Sequence, residues 1–258
     1  MLRTRVIPVL LLHNKGLVKT IKFKNPKYVG DPINAIKIFN EKEVDELIFL
    51  DIDASKENRG PNFKLIEAFA SECFMPVCYG GGITKIEEIK KIFSLGIEKV
   101  SLNLSALENP NLIKEAVDIF GSQSIVVTVD IKKSLFGKYQ IYNHKTKKTL
   151  NRNYLEYIKE LENLGVGEIL INSVDLDGTM KGYDIKLLKS VTENVKIPVI
   201  ACGGAGKLED FKEAVQKAKV SAVAAGSFFV FQGKHRAVLI TYPKYDELLK
   251  LFEGEKDE

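Results

Sequence analysis

Eight short runs rich in β-branched and aliphatic residues recur along the chain, near 5–11, 47–53, 75–79, 99–103, 125–130, 168–173, 197–202 and 221–226. Between most of them the apolar residues fall three and four apart, as in IEEIKKIFSLG (86–96) and NYLEYIKELENLG (153–165). The short runs predict buried strands, and the helical period predicts amphipathic helices packed on them. Strands separated by helices are expected to pair in parallel, because a parallel pair needs a long crossover.

The pattern also repeats. CYGGGITKIEEIKKI (78–92) and ACGGAGKLEDFKEAV (201–215) share a strand end, a glycine cluster, a lysine and an acidic amphipathic helix. Gly80–Gly81 and Gly203–Gly204 lie 123 residues apart. VDELIFLDIDAS (44–55) resembles VGEILINSVDLDGT (166–179), which pairs Asp51 with Asp175 and Asp53 with Asp177. A repeat of nearly half the chain is too long for a solenoid unit. Eight strand–helix units in two matching halves predict a single (β/α)8 TIM barrel spanning residues 1–258. An open doubly wound sheet is the alternative, but it does not call for matched halves.

Composition narrows the class. The chain has 258 residues, 45% hydrophobic and 28% charged, which is ordinary globular usage. No run of about 18 apolar residues appears, so no membrane span is expected. The opening MLRTRVIPVLLLHNK lacks a small-residue cleavage site and reads as a first strand. Cys73, Cys78 and Cys202 have no metal-ligand spacing, so no metal is expected, and no cofactor is expected either. Their odd number without a secretion signal points to the cytoplasm. The net charge of +4 comes from lysines and arginines spread along the chain, with no nucleic-acid motif beside them.

Barrel chemistry is expected at the C-terminal strand ends. VVTVDIKK (126–133) ends its apolar run on Asp130, which places a carboxylate there. GGGI (80–83) and GGAGK (203–207) each follow a strand and open a helix. Glycines let backbone N–H groups approach an anion, and a helix N-terminus favours negative charge. Asn103 in SLNLS and Ser227 in AAGS lie at the neighbouring strand ends and can donate hydrogen bonds. These turns predict a ligand phosphorylated at both ends; tight turns with no ligand are the plainer reading.

The motifs FLDIDAS, YGGGI, KVSLN, ENPNLI, FGSQSIVVTVD, GEIL, DGTMKGYD and IACGGAGK together resemble the HisF family, the cyclase subunits of imidazole glycerol phosphate synthase. The resemblance implies a lyase-type synthase subunit of histidine biosynthesis. Such a subunit receives ammonia from a glutaminase docked at the N-terminal barrel face and acts on a bisphosphorylated substrate at the other end. It implies phosphate contacts at Gly81, Gly82 and Asn103, and at Asp177, Gly178, Gly203, Gly204, Ala225, Gly226 and Ser227. It gives Asp130 an acid–base role and Lys19 a place in the substrate loop. The family's second aspartate falls at Leu11, which moves no proton. His13, two residues on, and Asp51, on the second strand, are the candidate replacements; a solvated loop histidine and a carboxylate bound to loop amides are the alternatives.

Other matches and departures divide the family. Arg5, Glu46, Lys99 and Glu168 match the four charges that gate the ammonia entrance, and Glu98 is placed to meet a cation on the partner. Leu104 replaces a threonine beside Asn103, and the tail FVFQGKHRAVLITYP (229–243) departs from the histidine enzymes. That tail resembles paralogues of acetamidino sugar modification in surface-polysaccharide pathways such as lipopolysaccharide synthesis. Three functions stay open: that paralogue, a true cyclase, and a scaffold that activates a glutaminase without its own chemistry.

Overall fold

The computed structural model describes residues 4–253. Its centre is a ring of eight strands: β1 (Arg5–His13), β2 (Leu47–Asp51), β3 (Val77–Gly80), β4 (Lys99–Leu102), β5 (Ile125–Lys133), β6 (Glu168–Ser173), β7 (Val199–Cys202) and β8 (Ala222–Ala225). Each pairs in parallel with the next, and β8 pairs with β1 to close the ring. A helix follows each strand: α1 (Pro32–Glu41), α2 (Phe63–Glu72), α3 (Ile86–Ser94), α4 (Pro110–Phe120), α5 (Tyr154–Asn163), α6 (Ile185–Thr192), α7 (Leu208–Ala218) and α8 (Tyr245–Phe252). The architecture is a (β/α)8 barrel.

The register fixes what points inward. Pairing runs from Arg5 through Ala222, Ile200, Leu170 and Thr128. Continued in register through β4, β3 and β2, it returns to β1 at His13, eight residues beyond Arg5. That stagger is the shear of eight that fills a barrel with side-chain layers. Ile7, Val9, Ile48, Cys78, Val126, Leu170, Ile200, Ala222 and Ala224 form the interior core. The alternate residues, such as Val6, Leu10, Phe49, Val127 and Ile169, pack under the helices. Burial on both faces explains the unbroken apolar runs.

Local chemistry starts the helices where the sequence changes period. Asp31, Asn62, Asn153 and Asp184 accept backbone N–H groups at the starts of α1, α2, α5 and α6. At the glycine turns the cap reaches backward instead. Glu88 accepts from the N–H groups of Thr84 and Lys85, and Asp210 from those of Gly206 and Lys207. Acids in the first turn also favour the helix dipole. No helix among the described residues is long and apolar enough to cross a membrane.

The half-barrel repeat exists, but its alignment shifts. Gly81 and Gly82 match Gly203 and Gly204, 122 residues apart, because Gly80 is the last inward strand residue, as Cys202 is. All four matched glycines have positive φ. A Cβ on Gly81 would meet the Asp51 carbonyl at 2.5 Å, and one on Gly203 the Ser173 carbonyl at 2.7 Å. Asp51 therefore corresponds to Ser173, and Asp53 to Asp175. The hydrogen bonds agree: Asp53 accepts from Asn14 N–H and Asp175 from Lys133 N–H. The sequence pairing slipped by two residues because both segments alternate aspartate with apolar residues.

Candidate active site at the barrel mouth

The C-terminal strand ends surround a cavity of about 600 Å3, within the size range of small-molecule sites. Asp130 stands on its floor, 5% exposed. Asn103 and Asn172 each donate an amide N–H to one of its oxygens at 2.9 Å. Burial pushes its carboxyl up to about 6, and the two amides pull the other way. An acid near 6 exchanges protons readily close to neutrality. His144 Nδ1 lies 3.8 Å from the same carboxylate, beyond hydrogen-bond range. Burial, then Lys56 and Lys145, push His144 down to about 4, so its ring is neutral at physiological pH.

A second carboxylate faces the same cavity. Asp177 is also raised to about 6, first by burial; a hydrogen bond from Thr20 at 3.2 Å and the charge of Lys19 oppose the shift, while Asp130 adds to it. Lys19 is buried, and its ammonium donates to the Val9 carbonyl. Burial lowers it to about 8 against the attraction of Asp177. Cys202, between these groups at the end of β7, is pushed up to about 12 by burial and stays a thiol.

The two glycine turns open onto this mouth from opposite halves. Gly81, Gly82 and Asn103 line the main cavity. Gly178, Gly203, Gly204, Ala225, Gly226 and Ser227 line an adjoining recess of about 30 Å3, into which Lys19 enters. The hairpin after β1, strands Gly16–Ile21 and Lys24–Gly30, contributes Lys19 and Thr20 to this recess. Its Thr20 carbonyl approaches Gly178 so closely that a Cβ there would overlap it. Asn103, expected as a phosphate donor, directs an amide N–H at Asp130, and its Oδ1 is buried without a partner.

The remaining candidates separate. Asp51 is buried at the cavity wall, where Arg59 binds it in bidentate fashion at 2.7 and 2.9 Å. The N–H groups of Asp53 and Ala54 complete its contacts at 3.1 Å, which is the loop-amide arrangement. His13 is turned to Asp53, with Nδ1 2.9 Å from its carboxylate, and does not line the cavity. Glu98 accepts the Val77 N–H at 2.8 Å, so one of its oxygens is engaged within the chain. Leu11 does line the mouth, half-buried and paired with Leu50 and Val18. Because that position is open to the cavity, Leu11→Asp is expected to cost about 1–2 kcal/mol, not the several expected of a buried unpaired charge. Thermal melts check this; collapse of the fold would place position 11 in the core.

At the opposite end, the four charged residues form a closed ring. Arg5 bonds Glu46 at 2.5 Å and also bonds Glu168. Lys99 lies 3.1 Å from each of the same two carboxylates. Burial opposes the charge on Arg5, but Glu168 and Glu46 outweigh it and raise its pKa. Glu46 and Glu168 are 122 residues apart, so the half-barrel repeat itself supplies the two acids. The apolar interior core separates this ring from Asp130.

Two features were beyond the sequence reading. Asn172 and His144 touch or approach Asp130 but come from another strand and from the loop after Tyr139–Asn143. Lysines that looked dispersed converge: Lys22, Lys24, Lys56, Lys85, Lys145 and Lys147 all line the cavity, together with Arg59. Asp51, Glu88, Glu108, Asp130 and Asp177 share the lining, so seven cations stand against five carboxylates, a modest positive excess.

The class is that of a closed (β/α)8 barrel with two glycine turns and a buried acid at its C-terminal mouth. The family model described as "Histidine biosynthesis protein" matches residues 5–236, and the chain belongs to this family as a HisF-like member. It is 57% identical over 248 residues to "Putative imidazole glycerol phosphate synthase subunit hisF2" of Pseudomonas aeruginosa, covering 96% of this chain and 99% of that protein. It is 51% identical to "Putative imidazole glycerol phosphate synthase subunit hisF3" of Vibrio vulnificus, covering 98% of each. It is 48% identical to a similarly named HisF subunit of Leptospira borgpetersenii, covering 98% of this chain and 100% of that one.

Proposed function

We propose that the protein is a synthase subunit that takes ammonia from a glutaminase at its N-terminal face and binds a ligand phosphorylated at both ends at its mouth. The single observation that carries this reading is the unequal state of the two ends. The four-charge ring is complete, while Leu11 fills the position of the family's second acid. Ammonia handling is therefore retained and ring closure is weakened, which favours the acetamidino sugar paralogue over a histidine cyclase. In this role Asp130 moves protons, Lys19 and the glycine turns hold the ligand, and Asp51 shapes the wall through Arg59. The subunit acts in the cytoplasm.

The cyclase reading has its own support in Asp177, a second carboxylate raised to about 6 on the same cavity. It offers a proton-transfer group that Leu11 does not. The two readings part in one assay. The bisphosphorylated imidazole precursor is supplied with ammonium salt, and in parallel the subunit is combined with its glutaminase, an amidotransferase and a nucleotide sugar. The expected result is nitrogen transfer to the sugar and no imidazole product. Imidazole formation that depends on Asp177 reverses the assignment.

A further inference from the structure

The tail that sets this chain apart in sequence forms a small hairpin, Phe231–Gln232 paired with Ala237–Val238. Its turn ends at Arg236, whose backbone has φ 51°, a left-handed conformation that a non-glycine residue adopts at some cost. The turn is closed by the Arg236 N–H on the Gly233 carbonyl at 3.0 Å. The side chain crosses the Phe231 ring, 4.5 Å from its centroid, which fixes the plane of the guanidinium. Both terminal nitrogens then reach the Gly178 carbonyl at 3.2 Å, and Nη2 lies 3.4 Å from Ser227 Oγ. Lys27 of the first hairpin approaches the same ring at 5.1 Å and the Arg236 carbonyl at 3.5 Å.

Gly178 and Ser227 are two of the residues that line the second glycine-turn recess. Among the described residues that line the recess, Lys19 is the one cation, and Asp177 stands in the same lining. Lys19 gives one N–H to the Val9 carbonyl and keeps others for a ligand, but it sits beside Asp177, which offsets its charge. A phosphate dianion held by backbone N–H groups and Lys19 alone, next to Asp177, would be incompletely balanced. A guanidinium has five N–H groups in a planar fork, and the contacts to Gly178 and Ser227 leave others to bind phosphate oxygens.

We propose that Arg236 is a phosphate-binding and specificity-determining residue of the second turn, delivered by the tail hairpin. The inference rests on the phosphate reading of that turn. It assigns the divergent tail to selection of a ligand whose far end is a phosphate monoester dianion, and the Ser227 hydroxyl to orienting the arginine.

The test uses the full chain and inorganic phosphate, followed by 31P NMR and calorimetry. Arg236→Gln keeps a side chain able to donate to the Gly178 carbonyl but removes the charge; Arg236→Lys restores it. Wild type is expected to take phosphate at both turns. Arg236→Gln should weaken one site about 10- to 100-fold, and Arg236→Lys should recover part of the loss. Melting curves without phosphate separate a structural role, which would lower the midpoint of both variants and leave the affinity of the folded protein unchanged. Two unchanged phosphate sites in Arg236→Gln would overturn the assignment of Arg236 and leave the turns standing. If wild type binds phosphate at neither turn, the phosphate reading itself is wrong and the arginine proposal falls with it.

Discussion

Asp130→Asn is expected to raise the melting temperature at pH 8 while removing turnover. The sign follows from linkage. Burial lifts the folded-state pKa of Asp130 to about 6, above the usual 3.8. The group therefore contributes most to stability below about pH 4, and that contribution is lost as pH rises through 6. At pH 8 its ionised form costs the fold on the order of 3 kcal/mol relative to a neutral side chain. The replacement is also well received. Asn103 and Asn172 each hold an Oδ1 that is buried without a partner. Turning either amide over presents an acceptor to the new N–H group, while the other continues to donate. Some of the gain is lost because neutral amides bond less strongly than a carboxylate.

A net gain of about 1–2 kcal/mol corresponds to several degrees in a chain of this length. At pH 4.5 the native acid is mostly protonated, so the two proteins should melt close together. Turnover should fall about 10²- to 10⁴-fold, the usual range for loss of an acid–base group. Melts and rates at the two pH values check the prediction. A variant less stable at pH 8, or a gap that persists unchanged at pH 4.5, would show that Asp130 is not a strained acid.

Much of this was legible in the sequence because it is periodic. Eight strands buried on both faces leave eight apolar runs, and the repeat distinguishes a closed barrel from an open sheet. Arg5, Glu46, Lys99 and Glu168 stand at strand starts and so could be placed at one end. The partners of Asp130 were hidden for the opposite reason. Asn172 is 42 residues away on a neighbouring strand, and only the registration of Asn172 beside Asp130 brings them together. His13 could not be assigned from alternation, since its hydrogen bond to Asp53 depends on how the chain turns after β1 and β2. Arg236 stands out in the sequence only as part of a divergent tail, because its contacts with Gly178 and Ser227, 58 and 9 residues away, leave no local signal.

The ring of charges gives the second large effect. Lys99→Ala removes one cation from a four-membered ring but leaves both Glu46 and Glu168 bonded to Arg5. The fold is expected to survive, with a cost of about 1–3 kcal/mol for the lost charged contacts. Glu46 is 2% exposed and bonded to both cations, so removing it would leave Arg5 and Lys99 sharing Glu168 alone, a harsher change with a less readable outcome. On the proposed ammonia-handling reading, loss of Lys99 breaks the seal met by ammonia from a docked glutaminase, while ammonium from solution enters through the mouth as before.

The decisive measurement is the ratio of glutamine-driven to ammonium-driven nitrogen transfer in wild type and Lys99→Ala, each in complex with the glutaminase. Glutamine-driven transfer is expected to fall about tenfold or more while ammonium-driven transfer stays near wild type. Equal loss from both nitrogen sources would contradict a gated passage through the barrel and leave the ring as a structural floor.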